Sequence, residues 1–90
     1  MKAIIDNKLY DTDTAEFLFE FLRENQYRYF QLTYYTEKLN IKIYKTKKGA
    51  YFEVENDKKI NLITERCFKK ILMDLNPDKY IELFEDVEEA

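Results

Sequence analysis

Residues Thr36–Glu55 read TEKLNIKIYKTKKGAYFEVE, two runs of alternating apolar and polar residues with Gly49, the only glycine of the chain, between them. Alternation with a period of two specifies strands, and a turn residue between two such runs specifies a β-hairpin. Burial sets the register, because a slip of one residue turns every side chain to the opposite face. Placing Ile41 and Ile43 opposite Val54 and Phe52 gathers the apolar residues on one inner face. The same register sets Lys42 opposite Glu53 and Tyr44 opposite Tyr51 on the outer face, both favourable cross-strand pairs. It leaves Thr46-Lys47-Lys48-Gly49 as the loop, with glycine at the left-handed position.

On the C-terminal side, a turn at Asn56-Asp57-Lys58 brings Ile60 opposite Val54 and Leu62 opposite Phe52, which makes a three-stranded meander. Thr64 then caps a helix carrying Cys67, Phe68, Ile71, Leu72 and Leu75, and a small thiol in such a pattern is ordinarily buried. Asn76-Pro77 ends that helix and starts another, whose apolar side is Tyr80, Ile81 and Phe84, since Asn is a good N-cap and Pro suits the first helical position. On the N-terminal side, Tyr27–Tyr35 is rich in β-favouring aromatics and reads as a strand beside the meander. Asp13 with Glu16 three residues on forms a capping box. Ala15, Leu18, Phe19 and Leu22 follow at helical spacing, so a helix is expected from Asp13 to about Glu24–Gln26, with Phe17 and Phe21 on its flank. Met1–Tyr10 reads as a small hairpin around Asp6-Asn7. The expected fold is one α+β domain over residues 1–90. Its antiparallel sheet, an N-terminal hairpin plus a three- to four-stranded meander, packs with three α-helices.

A chain of 90 residues with 46% hydrophobic and 17% aromatic residues can bury a core, which argues against disorder. No apolar run is long enough for a membrane span and the N-terminus has no signal-peptide pattern, so a cytoplasmic place is expected. The sequence has no histidine and no serine. That removes the commonest general base and every Ser-His or Cys-His nucleophile pair. A single glycine rules out a glycine-rich phosphate loop. Asp11, Asp13 and Glu16 offer oxygen ligands for a divalent cation, but helix capping explains Asp13 and Glu16 without a metal. No catalytic residue, metal or cofactor is expected, and the chain reads as a binding protein rather than an enzyme.

Charge is unevenly spread. The net charge of −3 arises from −3 over residues 1–37, +6 over 38–70 and −6 over 71–90. Two kinds of partner surface follow. One is acidic and aromatic: Glu82, Glu85, Asp86, Glu88 and Glu89 at the C-terminus, with Phe17, Phe21, Tyr44 and Tyr51 as anchors for a protein partner. The other is basic: Lys42, Lys45, Lys47, Lys48, Lys58 and Lys59 along the meander and its turns, interleaved with tyrosines that can stack on bases. Solvation of a small soluble domain explains both charge runs without any partner.

Several segments resemble a known family. Residues 2–15, ending in Tyr10-Asp11-Thr12-Asp13-Thr14-Ala15, then Glu37-Lys38-Leu39 through Lys47-Lys48-Gly49-Ala50-Tyr51-Phe52, then Ile60-Asn61-Leu62 and Tyr80-Ile81-Glu82-Leu83-Phe84 look like small proteins of phages, plasmids and integrative elements of low-GC Gram-positive bacteria. This chain departs from the family pattern after Phe52, where Glu55-Asn56-Asp57 replaces a glycine-rich insertion, and it has no tryptophan. The resemblance brings no catalytic residues. It implies an inhibitor of host defence of the anti-CRISPR kind, binding and blocking a CRISPR effector nuclease. The alternative is a nucleic-acid-binding accessory or regulatory protein that uses the lysine-rich hairpin.

Overall fold

A computed structural model describes residues 1–29 and 33–90, and the side-chain surroundings of 1–25 and 36–90. The elements are β1 (Lys2–Ile5), β2 (Lys8–Asp11), β3 (Glu16–Tyr29), β4 (Thr33–Lys45), β5 (Tyr51–Glu55), β6 (Lys59–Ile63), α1 (Glu65–Leu75) and α2 (Pro77–Phe84). β1 and β2 form a separate hairpin, and β3-β4-β5-β6 form an antiparallel sheet in that order. The α+β class with antiparallel sheets stands as expected.

The third helix does not. The described residues hold two helices, and the segment expected to be helical from Asp13 is the long strand β3. Phe17, Phe19 and Phe21 also alternate at period two, and strand pairing with the 13-residue β4 wins over the helical spacing they share with Leu18 and Leu22. Asp13 caps nothing. Its backbone N–H donates to Asp11 Oδ1 at 3.0 Å, and Ala15 N–H donates to Asp11 O at 3.0 Å, so Asp11 organises a turn that leads into the strand. The strand expected over Tyr27–Tyr35 divides likewise. Tyr27–Tyr29 belong to β3 and Thr33–Tyr35 to β4, with Tyr27 opposite Tyr35, and residues 30–32 of that expectation lie outside the described residues.

The β4–β5 register is one residue away from the expected one. Lys42 lies opposite Val54, Tyr44 opposite Phe52, Ile43 opposite Glu53 and Lys45 opposite Tyr51. Both faces of β5 are covered, which is why the single-inner-face premise fails. On one face Ile41, Ile43 and Tyr51 pack under Phe68, Leu72 and Tyr80 of the helices. On the other, Phe52 and Val54 pack under Tyr10 of the β1–β2 hairpin, with Tyr44 and Ile60 at the margin. Tyr10 meets Phe52 edge-on at 5.6 Å between centroids. β5–β6 keeps the expected register, Val54 opposite Ile60 and Phe52 opposite Leu62.

Local signals account for the turns and caps. Gly49 adopts φ +93° in the β4–β5 loop, and Asp6 and Asn7 both take positive φ in the first hairpin turn. Thr64 Oγ1 accepts from Cys67 N–H at 3.0 Å and Asn76 Oδ1 accepts from Lys79 N–H at 3.1 Å, so both helices start where the sequence predicts. Cys67 itself is exposed, as is Leu75. α1 turns Phe68 and Leu72 inward instead, and those two positions fill the stripe that faces the sheet.

Candidate binding surfaces

A β-bulge between Phe17 and Phe19 separates the two phenylalanines expected to act together. Phe21 lies opposite Ile41 and packs against the helix-side core. Phe17 lies opposite Tyr44 on the hairpin side, 51% exposed, with its ring edge-on to Tyr44 at 5.7 Å. Tyr44 in turn stacks on Phe52. Tyr51, expected to face outward, is buried against Phe68. The four aromatics therefore form no common surface, and only Phe17 offers a largely exposed ring.

The lysines divide as well. Lys42 Nζ is 3.2 Å from Asp57 Oδ1, a hydrogen-bonded pair that raises the lysine pKa above its ordinary value. Lys45 lies over the Tyr51 ring at 5.5 Å. Lys58 and Lys59 sit beyond the far end of β5 from Lys47 and Lys48. Lys47 and Lys48 instead line a groove of about 490 Å³ together with Lys8 from β2. The sequence gives no sign of that partnership, since it depends on the β1–β2 hairpin packing across the sheet.

The acidic segment has an anchored base and a free remainder. Asp86 accepts hydrogen bonds from the Tyr80 hydroxyl and from Lys69 Nζ, the latter at 3.2 Å, and these hold its carboxyl below the usual carboxylate range. The same contacts raise the Lys69 ammonium, and they raise the Tyr80 phenol, to which burial adds. Lys69 also lies 3.5 Å from Glu65 and 4.8 Å from the Phe84 ring centre. Asp86 thus ties the chain beyond α2 back onto α1. Glu82 pairs with Lys79 at 3.7 Å. Asp74, Asp78, Glu85, Glu88 and Glu89 are exposed and have no ion-pair partner among the described residues.

Next to these acids is an apolar cleft of about 310 Å³ lined by Met73, Pro77, Tyr80, Ile81 and Val87. Met73, Ile81 and Val87 are each about half exposed. Met73, Pro77, Ile81 and Val87 are each followed directly by an acidic residue, namely Asp74, Asp78, Glu82 and Glu88. The pattern is legible in sequence as an apolar–acidic pair recurring through the C-terminal segment, but Met73 and Val87 escape a reading that seeks only the core stripe. An apolar centre with a charged rim is the usual anatomy of a protein interface.

One buried charge pair serves the fold. Glu53 is 5% exposed in the middle of β5, and Arg23 reaches it across β4: Nη1 donates to Oε1 at 3.2 Å and Nη2 lies 3.1 Å from Oε2. Arg23 also lies over the Phe21 ring at 5.6 Å. Among the described residues, no group of three or more Asp, Glu or Cys side chains is placed to hold a metal ion, and no helix is long and apolar enough to cross a membrane.

The chain is thus a small α+β domain whose sheet carries a helix pair on one face and a β-hairpin on the other, with its charge gathered in separate surfaces. No protein-family profile, no curated protein and no solved structure matches it.

Proposed function

We propose that this protein acts by binding rather than by catalysis, and that α1, α2 and the acidic residues after them form its contact surface for a basic, nucleic-acid-handling protein. The observation that carries the reading is the apolar cleft of Met73, Pro77, Ile81 and Val87, with an acidic residue following each. Unpaired carboxylates gathered on the two helices and the segment after them, namely Asp74, Asp78, Glu85, Glu88 and Glu89, gain nothing for the free fold, and against a cationic channel they stand in for phosphates. The lack of histidine and serine supports binding over chemistry. The resemblance to small proteins of Gram-positive mobile elements suggests the partner class: a host-defence effector, with a CRISPR effector nuclease as the target and the protein acting as its inhibitor in the host cytoplasm.

The test is a DNA-cleavage assay on a purified CRISPR effector titrated with the protein. Glu82→Gln, Glu85→Gln, Glu88→Gln and Glu89→Gln are combined, and Asp86 is left in place because its carboxylate anchors the chain. The wild type is expected to inhibit in a salt-sensitive manner and the combined variant about tenfold more weakly or worse, since rim charges govern association. Full inhibition by the neutralised variant, or none by the wild type, contradicts the proposal.

A further inference from the structure

We propose that the groove between the β1–β2 turn and the β4–β5 loop binds a nucleotide unit, held by its phosphate. The groove's volume of about 490 Å³ falls within the size range of small-ligand sites. Lys8 lines it from β2, and Lys47 and Lys48 line it from the loop, so three lysines from two separate segments border one groove. None of them has an ion-pair partner among the described residues, and no carboxylate lines the groove. Glu16 lines only the neighbouring depression, across Thr14 and Thr46.

In a chain of net charge −3, such a concentration of uncompensated cations repels itself and contributes nothing to the fold. It favours an anion with several oxygens. Thr46 Oγ1 accepts the Ala50 N–H at 3.0 Å, which leaves its hydroxyl hydrogen to donate to that anion. The lining is not all polar. Leu9 and Ala50 add apolar surface to the same lining, which a base can cover while its phosphate meets the lysines. An acidic peptide would satisfy the lysines but leave this apolar surface unused. The inference is independent of the acidic surface, which belongs to the helices on the opposite face of the sheet.

The experiment measures binding of labelled oligothymidylate, ATP and polyglutamate to the full chain at low salt. Lys8→Gln, Lys47→Gln and Lys48→Gln are made together, with Lys58→Gln and Lys59→Gln as a control at the other end of β5. The triple variant is expected to keep the wild-type melting temperature and to bind oligothymidylate or ATP about tenfold more weakly. For the strand, the dependence of log K on log salt should become shallower by about two, from three lost single-strand phosphate contacts. Lys8→Gln alone, on a different segment from the other two, should weaken the same probe and so guards against a local loop defect. Loss for ATP assigns a free nucleotide; binding of the strand without ATP assigns a nucleotide within a single strand. Absence of binding by both probes overturns the proposal. So does equal loss in the control variant, or polyglutamate binding as tight as that of the nucleotides.

Discussion

A carboxylate in the middle of a sheet has to be neutralised where it stands, and Glu53 is neutralised by Arg23 from two strands away. Removing the arginine leaves a buried charge without a partner, so Arg23→Ala is expected to destabilise the protein by about 2–3 kcal/mol, short of a fully buried pair because the arginine is partly exposed. Replacing both residues by leucine should recover most of that loss in a denaturant titration; an unaffected Arg23→Ala variant would mean that Glu53 is satisfied some other way. Asp86 is a second residue-scale case, with both signs of pH dependence. Its folded pKa is lowered, so its contribution is present above the unfolded value of 3.8 and fades as pH falls through the folded one. Lys69 and Tyr80 are raised, so theirs is present below 10.5 and 10.0 and fades as pH rises through the higher folded values. Asp86→Asn should therefore melt below the wild type at neutral pH and converge with it at both extremes. A constant gap across pH would remove the ionic clasp from the account. Gly49 has open space where a Cβ would go, yet its φ of +93° strains any β-branched residue. Gly49→Val should cost roughly 1–3 kcal/mol, and an unchanged melting temperature would contradict the left-handed assignment.

At the scale of the element, β3 shows how two periodicities can share one sequence. Leu18, Phe19 and Leu22 have helical spacing and Phe17, Phe19 and Phe21 have strand spacing, and local sequence has no means to decide between them. Pairing with β4 decides, and the helical stripe comes apart: Leu18 is buried while Leu22 is 61% exposed. The bulge then gives Phe17 and Phe21 different environments, which a helix would not. Phe21→Ala should cost about 2–3 kcal/mol as a core truncation, against about 1 kcal/mol or less for Phe17→Ala. Equal losses would argue against the bulge. The helices were far more legible, because Thr64, Asn76 and Pro77 signal their starts through side chains a few residues from where they act. The β5–β6 register was legible for a similar reason: its short turn fixes the pairing without reference to anything distant.

Across the whole molecule, what the sequence conceals is the second covering layer. The β1–β2 hairpin buries Phe52 and Val54 from one side while the helices bury Tyr51 from the other, so alternation along β5 no longer separates inside from outside. That one arrangement moves the β4–β5 register by a residue, turns Tyr51 inward and brings Lys8 beside Lys47 and Lys48. The candidate acidic surface was visible as composition, but its apolar centre becomes apparent only when Met73, Ile81 and Val87 meet around one cleft. The most direct test of this surface as the site of action is amide hydrogen exchange on the protein alone and in complex with a purified CRISPR effector. The account expects new protection over residues 71–90, centred on Met73, Ile81 and Val87, and little change in β1–β2. Unchanged exchange over 71–90 in a complex that forms and inhibits would contradict it.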